Sequence, residues 1–238
     1  MPDHAAPTDI VLVRHGEAKV NLEPFLYDTC HGLTDRGHDQ ARRLAARIAD
    51  DPVRPTAVVH SPVLRCAQTA EHIATALGAA RRAVPALRAP EHGEPGISTW
   101  DPAHNAIGTI PPLAPSAPPT AGAEPWQHFV ERTGRALLDL AETHEGGRVV
   151  VVAHSETSAA ALHVLLRLPL AAAAWAYPRM DHAALTVWTR EPGVFAGSDP
   201  AGIWCLVSHN DTAHLPGEPG VAAGPDPDGD RRAESSFA

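Results

Sequence analysis

The chain has 238 residues and a formal net charge of −9, and 44% of its residues are hydrophobic while only 5% are aromatic. This length and composition suit a single large domain with a sizeable core. The acidic balance excludes the broad basic surface through which proteins bind nucleic acids or acidic membranes, so neither partner is expected. Any basic site must be local.

The cysteines and the amino terminus indicate where the protein works. Cys30, Cys66 and Cys205 are odd in number and widely spaced, as is typical of reduced thiols and not of a disulfide framework or a zinc site. The first residues lack the basic and apolar segments of a signal peptide, and no apolar stretch is long enough to span a membrane. The sequence therefore predicts a cytoplasmic protein.

The first predicted strand, residues 9–14, follows a polar stretch (1–8) that is expected to be disordered. Its apolar run, Ile10-Val11-Leu12-Val13, has no helical period and is typical of a strand buried on both faces in a parallel sheet. Ligands of open α/β sheets collect beyond the carboxyl ends of the strands, where Arg14 and His15 would lie. Taken alone, Arg-His-Gly is equally an ordinary exit from a strand.

A loop, a helix and a second strand follow. Asn21 in the loop is a candidate donor to an oxyanion, although a turn asparagine is the simpler interpretation. Thr34 is a favourable N-cap for a helix that Asp51-Pro52 ends, and residues 56–60 resemble a short buried strand. The predicted core face of the helix consists of Ala41, Leu44, Ala45 and Ile48.

Ser61-Pro62 is predicted to start the second helix, with serine at the N-cap and proline at the first helical position. Arg65 then lies in the first turn and close to a strand end, and helix amino termini of this kind bind phosphate. A structural salt bridge is the alternative role for Arg65. Gly78 is the expected C′ residue of the helix.

The middle of the chain has little periodicity. Residues 83–88 form a third predicted strand, although they include Pro85. Residues 89–125 are rich in Pro, Gly, Ala and Ser, and an unstructured stretch of this length is usually a functional lid or disordered. This predicted lid contains Glu91 and Glu94.

A helix from Pro125 to about His144 leads to the strongest strand pattern, residues 148–153, which places His154 at a strand end as the first strand places His15. Ser155 is predicted to cap a helix that ends near Arg167. Two further strands are predicted at residues 184–188 and 203–207. One domain thus spans residues 9–215, and the tail at 216–238 has too little apolar surface to fold.

Two histidines at strand ends and two arginines suit phosphoryl transfer. A guanidinium holds phosphate oxygens bidentately, an imidazole with one free ring nitrogen is a nucleophile, and no metal is required where side chains supply the positive charge. In order and spacing, the chain resembles the histidine phosphatase superfamily, which includes phosphoglycerate mutases. The motifs that carry the resemblance are Arg14-His15-Gly16-Glu17 with Asn21, Leu33-Thr34-Asp35-Arg36-Gly37, SPVLRCAQTA at Ser61 to Ala70, and Val151-Val152-Ala153-His154.

The resemblance covers roughly residues 9–190. It implies a three-layer α/β/α sandwich with a mostly parallel central sheet, phosphoglycerate mutase-like, and a reaction in which His15 becomes phosphorylated. It implies neither a metal nor a cofactor. The implied phosphate ligands are Arg14, Arg65 and His154, with Asn21 as a further contact in mutase-like members.

The sequence departs from the family pattern at the acid that protonates the leaving oxygen. Members commonly carry a glutamate four residues before a glycine, and counting back from Gly93 reaches Ala89. Glu91 is the candidate substitute and Glu94 the second choice. Both are explained equally well as solvated carboxylates of a loop.

A second departure follows His154, where glycines are common in the family. Ser155 still offers a backbone N–H and a hydroxyl to a phosphate. Glu156 would repel an anion if it pointed inward, so we expect it to face away or to contact a substrate hydroxyl or amine.

Three functions remain open from the sequence. The first is a metal-independent phosphatase that acts on a small phosphorylated metabolite through a phosphohistidine at His15. The second is a phosphomutase, for which the nearly uncharged lid gives little support. The third is a family fold used for binding or non-hydrolytic chemistry, because Ala89 occupies the acid position. Substrate and oligomeric state stay open.

Overall fold

The computed structural model describes residues 6–22, 31–91, 93, 114–119, 121–170, 177–191, 202–215 and 217. These residues form six strands and four α-helices. The strands are β1 (Thr8–Arg14), β2 (Ala57–His60), β3 (Arg81–Ala83), β4 (Arg148–Ala153), β5 (Leu185–Glu191) and β6 (Ile203–Asp211). The helices are α1 (Asp35–Asp50), α2 (Leu64–Leu77), α3 (Trp126–Thr143) and α4 (Ser155–Leu165).

The strands form one sheet in the order β3-β2-β4-β1-β5-β6. The first four are parallel, while β5 pairs antiparallel with β1 and β6 antiparallel with β5. The carboxyl ends of β1, β2 and β4 therefore share an edge of the sheet with the amino end of β5.

Alternating side chains of the strands build a core on each face of the sheet. On one face, Val11, Val13 and Val150 pack against apolar residues of α1 and α2. On the other, Ile10 and Val151 pack against residues of α3 and α4. The predicted three-layer α/β/α sandwich with a mostly parallel sheet is confirmed.

Two glycines let the loop after β1 lie directly on the first turn of α1. A Cβ on Gly37 would stand 1.9 Å from the backbone oxygen of Glu17, and a Cβ on Gly16 would stand 2.5 Å from the oxygen of Gly37. Neither position accepts a side chain without movement of the backbone. Thr34 caps α1 as predicted, since its hydroxyl accepts from the Gly37 N–H at 3.0 Å.

Several predicted boundaries are wrong. Helix α2 begins at Leu64 with Val63 at its N-cap, while the Ser61 hydroxyl accepts from His154 Nε2 at 3.0 Å and from the Val63 N–H at 3.4 Å. The predicted strand 83–88 is replaced by β3 (Arg81–Ala83) and a 3₁₀ turn at Pro85–Leu87. Proline has no N–H for a strand ladder, which accounts for the switch.

The third wrong boundary is at α4, which begins at Ser155 with His154 at its N-cap and ends at Leu165. The predicted N-cap was Ser155 and the predicted end was near Arg167. At the amino end of the chain, β1 already begins at Thr8, one residue earlier than predicted.

Several predictions fall outside the described residues. These are Glu94, Cys30, residues 1–5, most of the predicted lid, and the tail from residue 218 onward. Cys66 and Cys205 are free thiols. Within the described ranges, no helix combines the length and apolarity needed to cross a membrane.

Candidate active site

The shared edge of the sheet brings the four main predicted residues together. Arg14 and His15 stand at the end of β1, and His154 directly follows β4, the parallel neighbour of β1. Arg65, the second residue of α2, reaches in from the helix that follows β2. Arg14, His15 and His154 are at most 4% exposed.

Arg65 joins the two imidazoles. Its Nε donates a hydrogen bond to His15 Nε2 at 3.0 Å, and its terminal NH2 donates to His154 Nδ1 at 3.2 Å. The two rings meet nearly edge to face, with centroids 5.5 Å apart. Residues that lie 50 and 89 positions apart in the chain thus form one cluster, as the sequence predicted.

Hydrogen bonds define which ring nitrogen of His15 is free to react. His15 Nδ1 lies 2.7 Å from the backbone oxygen of Gly16, and because a carbonyl only accepts, Nδ1 carries the proton. The lone pair is then on Nε2, where the Arg65 N–H meets it. This tautomer is the one that a nucleophilic imidazole requires.

Burial and neighbouring cations keep both imidazoles neutral. Burial lowers the pKa of His15 well below its ordinary value, and Arg65, His154, Arg14 and His182 lower it further. Burial followed by Arg65 and Arg14 does the same to the pKa of His154. Both effects disfavour the charged ring.

Ser61 orients the His154 ring through the nitrogen that does not face Arg65. Because Arg65 donates to Nδ1 of His154, the proton of that ring is on Nε2, which donates to the Ser61 hydroxyl at 3.0 Å. Ser61 is fully buried. The buried thiol of Cys66 packs against the same ring, 3.6 Å from Nε2.

Arg14 is held by the chain segment that precedes β5. Its NH1 donates to the backbone oxygen of Met180. Burial lowers the pKa of Arg14, and the nearby negative charge of Glu156 opposes that effect. Its Nε is buried and has no hydrogen-bond partner among the described residues.

The other predicted substrate contacts have local partners. Asn21 is half-buried in a 3₁₀ turn (Lys19–Asn21), where its Oδ1 accepts from the Ala18 N–H at 2.9 Å. The buried Ser155 hydroxyl donates to Glu156 Oε2 at 3.1 Å. Glu156 is 8% exposed, and its charge acts on Arg14. Contact of these three side chains with a substrate stays a prediction.

The predicted acid lies on a segment that an arginine of α3 fixes. Arg132 donates to the backbone oxygens of Ala86, Arg88 and Ala89, at 2.8, 3.0 and 3.1 Å. It also holds Glu124 by two hydrogen bonds, at 2.6 and 2.7 Å. We call these contacts the Arg132 clamp.

The charges of Arg132 and Arg88 lower the pKa of His154, after the larger effects of burial, Arg65 and Arg14. Glu91 follows the clamped segment and is exposed, with its backbone oxygen accepting from the Glu124 N–H at 2.8 Å. The assignment of Glu91 as the acid therefore stays a prediction, and Glu94 is outside the described residues.

Sequence reasoning missed His182. Its ring centroid is 5.7 Å from that of His15, and its Nε2 is buried without a hydrogen-bond partner in the described part of the chain. It precedes β5, whose amino end lies beside the carboxyl end of β1 because the two strands are antiparallel. From the sequence alone, a histidine just before a strand can be assigned to the site only if the direction of that strand in the sheet is known.

Two arginines and two neutral histidines, one with a free lone pair, define a site that can bind a phosphoryl group and attack it. The described residues contain no group of three or more histidine, cysteine, aspartate or glutamate side chains suited to a metal ion. The sequence pattern of the histidine phosphatase superfamily (branch 1) matches residues 10–198. The chain belongs to this superfamily.

No curated protein is significantly similar to the chain in sequence. Among solved structures, a mycobacterial glucosyl-3-phosphoglycerate phosphatase is 25% identical with a TM-score of 0.67, over 86% of this chain and 99% of that one. Two others share the fold. They are a phosphoserine phosphatase mutant from Entamoeba histolytica (22%, TM-score 0.62, 87% and 99% covered) and a phosphoglycerate mutase from Bacillus anthracis (18%, TM-score 0.64, 89% and 96% covered).

Proposed function

We propose that this protein is a metal-independent phosphatase that hydrolyses a small phosphorylated metabolite through a phosphohistidine on His15. The hydrogen bond from Arg65 Nε to His15 Nε2 carries the proposal, since it places the unprotonated nitrogen of a neutral imidazole against a phosphate-binding cation. A permanently charged guanidinium beside a nucleophile suits an anionic substrate.

The reaction has two displacements. His15 Nε2 attacks phosphorus, the ester P–O bond breaks, and the leaving oxygen gains a proton as the alcohol departs. Water then attacks the phosphohistidine, the P–N bond breaks, and inorganic phosphate is released. Arg14 and Arg65 stabilise the charge on the non-bridging oxygens throughout, as such donors do in phosphoryl transfer.

A phosphatase is favoured over a mutase by the comparison at 25% identity, which is with a phosphatase. No feature of the described residues favours a mutase. A stable phosphate adduct on the resting protein, seen as a mass increase, would reverse this preference.

Substitution of His15 by alanine tests the proposal. We expect phosphate release from an aryl phosphate to fall by at least about 10³-fold, because no other group supplies the nucleophile. The matched control is His60→Ala. His60 also ends a strand, but its Nε2 faces Arg81 of β3, on the side of β2 away from β4 and β1. Undiminished activity in the His15 variant would exclude the phosphohistidine route.

The binding or non-hydrolytic alternative makes a different prediction. A protein that binds vanadate tightly but leaves every member of a panel of phosphate esters and acyl phosphates intact would support it. Turnover of esters with good leaving groups supports the phosphatase.

A further inference from the structure

The proposed reaction leaves His182 without a role. Its ring lies 5.7 Å from that of His15, centroid to centroid, and tilted by 39°. Its Nε2 is enclosed and has no hydrogen-bond partner among the described residues. Buried polar side-chain atoms are nearly always hydrogen-bonded, so an orphan nitrogen beside a nucleophile indicates a ligand as its partner.

A second orphan atom belongs to Arg14, whose charge acts on His182. Arg14 Nε is also buried without a partner in the described ranges. The Ala183 N–H, next to His182 in the chain, donates to the backbone oxygens of Arg14 and His15 at 3.1 and 3.2 Å. The two orphan groups thus belong to chain segments that are bonded to each other around His15. A phosphoryl group offers three strong acceptor oxygens, enough to satisfy both.

The segment that carries His182 is held on both sides. Its residue Met180 accepts from Arg14. Asn210 of β6 accepts from the backbone N–H of Asp181 at 2.6 Å and donates to the carboxylate of Asp181 at 3.0 Å. The imidazole is therefore pre-positioned, as a group that binds a transferring phosphoryl group must be.

The electrostatic surroundings favour an anion at this point. Arg14, Arg36 and Arg65 act on His182 from β1, α1 and α2. Burial and these three cations lower the pKa of His182 well below its ordinary value. A neutral imidazole retains one N–H to donate, and it adds no further positive charge to the ligand-free site.

We propose that His182 is a further phosphate ligand, whose Nε2 donates to a non-bridging oxygen of the phosphoryl group that His15 attacks. This inference rests on the proposed phosphatase function. His182 reaches the site from the β5 side of β1, whereas His154 reaches it from β4 on the other side. We therefore expect that Arg14, Arg65 and His154 do not replace it.

The variants His182→Ala, His182→Phe and His182→Asn test the inference through inhibition of aryl phosphate hydrolysis by vanadate. We expect the inhibition constant to rise about 10- to 100-fold in the alanine and phenylalanine variants, since each loses a hydrogen bond to a charged group. The asparagine variant, which retains an N–H donor, is expected to recover most of the loss. His60→Ala is the control and should bind vanadate like the wild type.

Folding is checked by the thermal unfolding midpoint with and without inorganic phosphate. The proposal requires a folded phenylalanine variant whose midpoint rises less on adding phosphate than that of the wild type. Unchanged vanadate affinity in the alanine and phenylalanine variants overturns it. A rate loss that grows with leaving-group pKa at unchanged vanadate affinity also overturns it, because His182 would then be an acid.

The outcomes separate this inference from the function on which it rests. A wild-type protein that neither hydrolyses aryl phosphates nor binds vanadate would remove both proposals. An active, folded phenylalanine variant with wild-type vanadate affinity would remove the His182 proposal alone.

Discussion

Two sides of the site can be compared. Where β1 and β4 end, Arg14, His15, Arg65 and His154 form a buried cluster with defined tautomers. Where residues 86–91 pass, the family's acid position is held by Ala89, and the Arg132 clamp fixes the backbone. The first side has the groups that the proposed phosphoryl transfer requires, whereas on the second side Ala89 stands where the family pattern predicts a carboxylate.

The difference indicates that different parts of this fold supply the groups that bind the phosphate and the group that protonates the leaving oxygen. A site with only the first part still acts on esters whose leaving oxygen needs little help. In general, a site without a positioned acid is slower by about 10²- to 10⁴-fold on an ester with a poor leaving group. We therefore expect activity that depends steeply on the leaving group.

After His15, the largest effect should follow from removing Arg65. We expect Arg65→Met to lower kcat/KM for an aryl phosphate about 10²- to 10³-fold, because one positioned donor to the transition state is lost. Steady-state kinetics measures this. Arg43→Met, which removes an exposed ion pair with Asp39, should have wild-type kinetics. A loss below about tenfold would contradict the role of Arg65 in binding the phosphoryl group.

The second prediction restores the acid. Ala89→Glu should raise kcat/KM for alkyl phosphates about 10- to 100-fold, with little change for aryl phosphates, because only alkoxides need the proton. Ala89→Gln is the isosteric control without an acid. If Glu91→Gln alone abolishes turnover of alkyl phosphates, then Glu91 is already the acid. Both sides of the site would then carry the groups that the reaction needs.

A smaller effect is expected on stability. Arg132→Gln should lower the free energy of unfolding by about 2 kcal/mol, since three backbone oxygens and the carboxylate of Glu124 lose a donor. Urea unfolding measures the change. Arg135→Gln, at an exposed position of the same helix, should change it by less than about 0.5 kcal/mol. Equal stabilities of the two variants would show that the clamp is not structural.

The smallest effect concerns proton binding by His15. Its folded-state pKa lies well below 6.5 through burial and then Arg65, so we expect the ring to stay neutral at pH 6.5 in an NMR titration. Arg65→Met should raise the pKa toward 6.5. The direction of the effect on stability follows from this pKa, because below pH 6.5 His15 binds a proton in the unfolded chain but not in the folded one. His15 therefore destabilises the fold as the pH drops below 6.5. Titration of His15 at or above pH 6.5 would contradict this.

The sequence was sufficient for the side chains that follow parallel strands. Apolar runs locate β1 and β4, and parallel strands bring their carboxyl ends to one edge, so His15 and His154 were predicted together with Arg65. The amphipathic face of α1 was equally readable, and Leu44 and Ile48 are buried as expected.

The remainder depended on tertiary contacts. His182 enters the site only because β5 runs antiparallel to β1. Ser61 matched an N-cap signal, but its hydroxyl is hydrogen-bonded to His154, 93 residues further along the chain, and α2 begins later. Strand β3 consists of three exposed residues whose pairing with β2 decides its position, and no periodic pattern encodes this.

The contact between Arg65 and His15 has a consequence for selectivity. The electron pair that would attack phosphorus is covered by a guanidinium N–H, and only a group that attracts the guanidinium more strongly uncovers it. On the proposed mechanism, a doubly charged oxyanion does so, whereas a neutral electrophile such as an alkyl halide or an epoxide does not. We therefore expect His15 Nε2 of the resting protein to be shielded from alkylation until an anion arrives.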